Sequence, residues 1–238
     1  MILSDIKLKF EDLHFNSKLS SLNFLQKSYR LFISKEINKL IPNDNSVLDI
    51  GCGTGYLTNL IKTKKISALE PNVNLFNYAK NTYNSIKFYN QKIEDHNEKY
   101  DYIILSDTLS YTFDLYEIFK SLKKNLNKNG KTIITIYNPL FKPLIDFIQL
   151  LKFLPTKNNI NWLTSSDIFN FLYLTDWEVI KFDKKIIFPF KVPFLAPFIN
   201  KFFEIFFPFL CLKSIYVCKP KYNNINYKTR NETSLSII

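Results

Sequence analysis

The sequence is poor in glycine. It has 4 in 238 residues, where an average usage of about 7% would give roughly 17. That shortage excludes collagen-like and glycine-rich low-complexity chains. Cysteine is also scarce, and Cys52, Cys211 and Cys218 are odd in number and far apart. They form neither a disulfide framework nor a zinc ribbon. Only His14 and His96 could join them, so no metal site is expected. No apolar run reaches the roughly 18 residues of a simple membrane span. The opening MILSDIKLKF lacks the uninterrupted apolar core of a signal peptide. The expectation is a reducing, cytoplasmic setting.

What is present fits a globular domain. Hydrophobic residues make up 46%, charged residues 22% and aromatics 16%, with 23 Phe. The formal charge is +11, a balance that suits nucleic acid, an anionic membrane or a phosphorylated substrate. No dense Lys/Arg block concentrates it, only pairs such as Lys64-Lys65, Lys123-Lys124 and Lys184-Lys185. Lys, Asn, Ile, Phe and Tyr share AT-rich codons and are all abundant. Compositional drift therefore accounts for the lysines without a partner.

Apolar residues from Leu22 to Ile41 recur at steps of three and four, which predicts a helix stopped by Pro42. Residues 46–50 read as a strand, 51–55 as a Gly-rich turn, and Leu57, Leu60 and Ile61 as the face of a following helix. Further strands are predicted at 66–69, 86–89, 101–106, 132–137, 177–187 and 214–218. Helices are predicted at 74–82, 115–126, 141–153 and 165–174, with Asn129-Gly130 closing the second of these. Strand and helix in alternation predict an α/β fold, a doubly wound, mostly parallel sheet with helices on both faces.

Three of the four glycines fall in VLDIGCGTG, residues 47–55. Gly51, Gly53 and Gly55 stand between a strand and a helix signal, where glycine lets the backbone take positive φ and approach a ligand. A dinucleotide fingerprint would need its third glycine at position 56, which is Tyr56. Glu70 stands 19 residues beyond Gly51, at the end of the second strand, where a carboxylate can accept both ribose hydroxyls.

VLDIGCGTG with Glu70 resembles motif I and the acidic loop of the class I S-adenosylmethionine-dependent methyltransferases. Lys99 to Ser106 resembles that family's fourth strand, and Asn129-Gly130-Lys131 the turn before its fifth. The resemblance implies a Rossmann-like sheet of seven strands, the last antiparallel, with S-adenosyl-L-methionine as cofactor. It implies that Asp49 faces the cofactor's amino acid moiety. The loop Gly51, Cys52, Gly53 and Gly55 would line the methionine and ribose, and Glu70 would hold the ribose. Ile93 and Glu94 would frame the adenine, with Lys92 where the family often has Asp. Ser106 and Asp107 follow the fourth strand, at the sheet edge where open α/β folds bind ligands. Asp107 is the candidate general base, with helix capping as its structural alternative. Tyr111 and Tyr137 are candidates for the acceptor pocket, and His14 for the lid. His96, within DHNEK, reads as solvated.

Residues 186–212, IIFPFKVPFLAPFINKFFEIFFPFLCL, form a Phe-rich insertion between the last two strands. Pro197 can start a helix and Pro208 can end it. Burying a Phe contributes roughly 1.5–3 kcal/mol, so this segment must pack into its own domain, against a second copy, or at a membrane interface. With Asn161-Trp162-Leu163 ahead of it, it resembles a bacterial subgroup of methyltransferases associated with glycosyltransferases and polysaccharide biosynthesis. That resemblance implies O-methylation of a sugar hydroxyl on a glycan or lipid-linked intermediate. It also implies a glycosyltransferase partner and peripheral contact with the inner face of the membrane. The alternatives are methylation of a small apolar molecule such as a quinone or lipid, and a cofactor-binding, non-catalytic partner of a glycosyltransferase. Nucleic acid is disfavoured, because Ser106-Asp107-Thr108-Leu109 stands where base methyltransferases carry an Asn-Pro-Pro-Tyr motif. The expected organisation is a helical lid at 1–45, a catalytic core at 46–219 containing the insertion, and a disordered tail at 220–238.

Overall fold

The computed structural model describes residues 24–112, 114–150, 161–185 and 204–221. Helix α1 (Phe24–Asn38) leads into β1 (Ser46–Ile50) and β2 (Lys65–Leu69). Then follow α2 (Val73–Thr82), β3 (Lys87–Tyr89), β4 (Tyr100–Ser106), α3 (Leu115–Lys124) and β5 (Leu126–Tyr137). Helices α4 (Lys142–Leu150) and α5 (Ser165–Leu174) precede β6 (Trp177–Lys185) and β7 (Lys213–Pro220). The seven strands form one sheet in the order β3-β2-β1-β4-β5-β7-β6. β1 to β5 pair in parallel, and β7 runs antiparallel between β5 and β6. The predicted seven-stranded, doubly wound sheet with an antiparallel last strand is therefore present.

The strands are near-continuous apolar runs because both faces of the sheet are covered. In β4, Ile103 and Leu105 face one core with Ile118, Phe119 and Leu122 of α3 and Ile168 and Leu172 of α5. Tyr102 and Ile104 face the other, with Ile33 and Ile37 of α1. At the strand starts, Asp101 accepts from the Ser46 backbone N–H and hydroxyl and from the Asn127 amide. Burial pushes its pKa up, but these hydrogen bonds outweigh it and hold the carboxyl below its usual range.

Three local expectations are corrected. The segment after the Gly-rich turn is one 3-10 turn, Thr58–Leu60, rather than a helix. Leu57 and Ile61 still pack beside α1, but the chain must enter β2 at Lys65 and has no length for further turns. Asn129-Gly130 does not end a helix. Asn125 caps α3, and Gly130 lies inside β5, where an added Cβ would stand 2.8 Å from Leu126 Cδ2. His96 is buried rather than solvated. Its Nδ1 pairs with the Gln91 amide at 2.7 Å and its Nε2 with the Tyr100 hydroxyl at 3.1 Å, and the ring meets Tyr89 edge-on. Burial lowers its pKa. The calls on His14, on residues 186–203 of the insertion and on the tail beyond 221 lie outside the described residues. Residues 204–206 are helical and Pro208–Leu210 forms a 3-10 turn.

Candidate active site

The site forms where β1, β2, β4 and β5 end. β1 delivers its chain into the loop 51–55, and Gly51 has φ +67°. A Cβ there would stand 2.8 Å from Thr108 Cγ2, so glycine is required twice over. Thr108 in turn donates to the Ile50 carbonyl at 2.6 Å, tying the end of β4 to the start of the loop. Gly55 has φ +73° and lies against Phe88, Tyr83 and Ala79. The Gly51 and Cys52 amides both donate to the Leu69 carbonyl, which docks the loop on the end of β2.

Two buried carboxylates support this loop. Asp49 accepts from the Thr58 hydroxyl at 2.6 Å. Glu70, only 4% exposed, accepts from the Gly53 N–H at 2.7 Å and from the Asn72 N–H at 3.0 Å, one on each oxygen. A carboxylate has about four lone-pair positions, so both oxygens keep the capacity to take a ribose hydroxyl. Cys52 is buried in a small cluster with Ala68 and Ile86. Ile93 lies in the main core, while Glu94 beside it is exposed.

Asp107 follows β4 with φ +62° and ψ +6°, and among the described non-glycine residues only Asp176 shares a positive φ. A left-handed Asp costs energy that the surroundings must supply, and such outliers cluster at functional sites. Its side chain does not cap the 3-10 turn Thr108–Tyr111, which removes the capping alternative. Its carboxylate accepts instead from the Tyr29 hydroxyl at 2.8 Å and the Thr135 hydroxyl at 3.3 Å, and pairs with Lys213. Ser106 Oγ lies 3.2 Å from Thr135 Oγ1 in the same group.

Lys213 and the α1 residues gave no signal in the sequence. The Lys213 side chain is 0% exposed against 18% for Asp107. Its ammonium stands 3.1 Å from the centre of the Tyr137 ring and 5.2 Å from that of Tyr29, a cation held against two aromatic faces. Burial, then the Asp107 charge, pushes the Tyr29 and Tyr137 hydroxyls well above the usual tyrosine range. Both therefore remain protonated donors at neutral pH. Arg30, next to Tyr29 on α1, donates to Thr54 Oγ1 at 3.1 Å within the Gly-rich loop. The structure thus gathers Asp49, Gly51, Gly53, Gly55, Glu70, Ser106 and Asp107 at one sheet edge, brings the acceptor-pocket candidate Tyr137 beside them, and adds Arg30, Tyr29 and Lys213.

Comparison with known proteins agrees with this geometry. The family described as "Methyltransferase domain" matches residues 24–181. A malonyl-[acyl-carrier protein] O-methyltransferase of Acetivibrio thermocellus is 27% identical over 136 residues, 52% of this chain and 48% of that protein. One from Bacillus anthracis is 30% identical over 99 residues, 38% and 37% of the two chains. The chain thus matches about half or less of these curated relatives' length. Among solved structures, a possible histamine N-methyltransferase of Thermotoga maritima superposes with a TM-score of 0.66 at 14% identity, covering 88% of this chain and 99% of that one. Magnesium protoporphyrin IX methyltransferase of Synechocystis, solved with S-adenosylhomocysteine, gives 0.58 at 14% identity, covering 84% and 88%. With strand order, Gly-rich loop and buried Glu70 all in agreement, the chain belongs to the methyltransferase-domain family, with the Rossmann-like fold of the S-adenosylmethionine-dependent methyltransferases.

Proposed function

We propose that the chain transfers a methyl group from S-adenosylmethionine to a hydroxyl oxygen of a glycan or lipid-linked intermediate. The observation that carries this reading is Asp107, a left-handed, uncapped carboxylate at the sheet edge, oriented by three side chains and still partly open.

The residues present fit the cofactor. Glu70 would take the ribose hydroxyls, the loop 51–55 would allow close backbone approach, and Asp49 would face the amino group. Arg30, already against Thr54, would meet the carboxylate. When bound, S-adenosylmethionine supplies a methyl group activated on a sulfonium. The protein's tasks are then to orient the acceptor and exclude water. Asp107 accepts the hydroxyl proton, a contribution of about 10²–10⁴ in rate. Tyr29, Thr135 and Lys213 hold its carboxylate in one orientation, and the two tyrosines, kept protonated, cannot compete for the proton.

A second reading is favoured by the malonyl-[acyl-carrier protein] methyltransferases among the relatives. An acceptor carboxylate needs no base. Labelled S-adenosylmethionine, offered with lipid-linked glycan or acyl-carrier fractions, separates the two. With a hydroxyl acceptor, Asp107→Asn should lower kcat by about a hundredfold or more. With a carboxylate acceptor it should change kcat by less than about threefold.

The proposed setting is the cytoplasmic face of a membrane, beside a glycosyltransferase. Exposed Ile205, Phe206 and Phe209 at the end of the insertion support it. Among the described residues no helix is long and apolar enough to cross a membrane.

A further inference from the structure

At the opposite edge of the sheet, where β1 to β4 begin, lies a cavity of about 690 Å³. It lies beside the connection from β1 to β2. The connection from β1 to β2 makes a single 3-10 turn, Thr58–Leu60, and returns to the sheet at Lys65. Thr58 and Ile61 form one wall, and the starts of β2, β3 and β4 form the others.

The lining is chemically divided. Ile61, Ile66 and Ile86 supply its apolar lining, and Thr63, Ser67 and Ser85 add hydroxyls. Four lysines line it: Lys64, Lys65, Lys87 and Lys99, against one carboxylate, Glu98. Lys64 is paired with Asp44 at 2.7 Å and Lys87 with Glu98 at 2.9 Å. Among the described residues, no ion pair engages Lys65 or Lys99. Asp101, hydrogen-bonded to Ser46 and Asn127, attracts Lys65 through its charge without forming an ion pair with it. Two lysines outside any ion pair thus line a mixed polar and apolar concavity whose volume lies within the roughly 300–1,000 Å³ typical of small-molecule sites.

We propose that this cavity binds a phosphorylated small molecule of nucleotide size. Its phosphates would lie on Lys65 and Lys99, and its ring on Ile61, Ile66 and Ile86. The chemistry favours phosphate because a lysine ammonium is a compact point charge that binds phosphate without bidentate geometry. A half-open depression of this volume suits a small molecule better than a nucleic acid strand, which needs an extended groove with stacking platforms. This site stands apart from the methyl-transfer edge and does not depend on the acceptor chosen there.

The test is calorimetric titration of ADP into the full chain saturated with S-adenosylhomocysteine, which blocks the adenine site. Saturable binding tighter than about 1 mM is expected. Lys65→Glu/Lys99→Glu should weaken it at least about tenfold. Lys142→Glu/Lys181→Glu, an equal charge change on α4 and β6, should weaken it by less than about threefold, both effects read at constant ionic strength. Lys99→Gln alone, at an exposed position, should weaken it about threefold and guards against misfolding of the double variant. Absence of ADP binding, or equal losses in the two double variants, overturns the proposal. Equal losses would mean that ADP reads only the diffuse positive charge of the chain.

Discussion

Lys213→Met isolates the ion pair beneath the proposed base. Methionine keeps most of the apolar stem but removes the ammonium. Among the described residues, Asp107 then keeps the hydroxyls of Tyr29 at 2.8 Å and Thr135 at 3.3 Å. Breaking a buried pair by removing one partner costs about 3–5 kcal/mol when the survivor is sealed from water. The Asp107 side chain is 18% exposed, so water and the two hydroxyls soften the loss, and about 2–3 kcal/mol is expected. At about 2–4 °C per kcal/mol for a chain of this size, the melting temperature should fall by about 4–12 °C. Asp107→Asn in the same background should recover much of that loss, since it removes the stranded charge. A double-mutant cycle by scanning calorimetry should therefore show coupling above about 1 kcal/mol. If Lys213→Met melts within about 1 °C of the parent, or the two changes add, the pair does not stabilise this end of the sheet and its place in orienting Asp107 falls with it.

Glu70→Ala should weaken S-adenosylmethionine binding by roughly ten- to a hundredfold, the loss of about 1.5–3 kcal/mol in charged hydrogen bonds. Unchanged calorimetric affinity would reject the ribose role. Gly51→Ala should destabilise the fold by about 1–3 kcal/mol in urea unfolding, because its Cβ meets Thr108 and its φ is positive. His96 has a lowered folded pKa, so the unfolded chain binds its proton more readily. Stability should therefore hold above about pH 6.5 and fall as pH drops below it, by at most about 1.4 kcal/mol per pH unit; His96→Gln should flatten that slope between pH 6.5 and 5. Phe206→Asp/Phe209→Asp should abolish co-sedimentation with anionic liposomes while the melting temperature holds, and a collapsed melting temperature would place these rings in the core instead.

Much of this architecture was legible because the physics that shapes it acts along the chain. Ile103-Ile104-Leu105 reads as a strand buried on both faces, and the glycine cluster with Glu70 at the next strand end marks a ligand loop. The failures share one cause. Leu57, Leu60 and Ile61 have helical spacing, but spacing reports which side chains are buried, not how the backbone delivers them. Asn129-Gly130 suits a helix end, yet pairing of Leu126 with Tyr100 starts the strand earlier. His96 has polar neighbours in sequence and aromatic neighbours in space, contributed by β3 and β4. Lys213 lies 106 residues from Asp107, a separation across which no local pattern extends. Tyr29 and Arg30 looked like ordinary positions on an amphipathic helix, because their partners are set by how that helix crosses the sheet edge.

The glycines of this chain are few enough to be read one by one. Four occur. Three sit at positive φ, and an added Cβ on the fourth would stand 2.8 Å from Leu126. Those three lie in one five-residue turn beneath the proposed cofactor, so the backbone freedom that glycine gives this chain is concentrated where a ligand would approach the main chain.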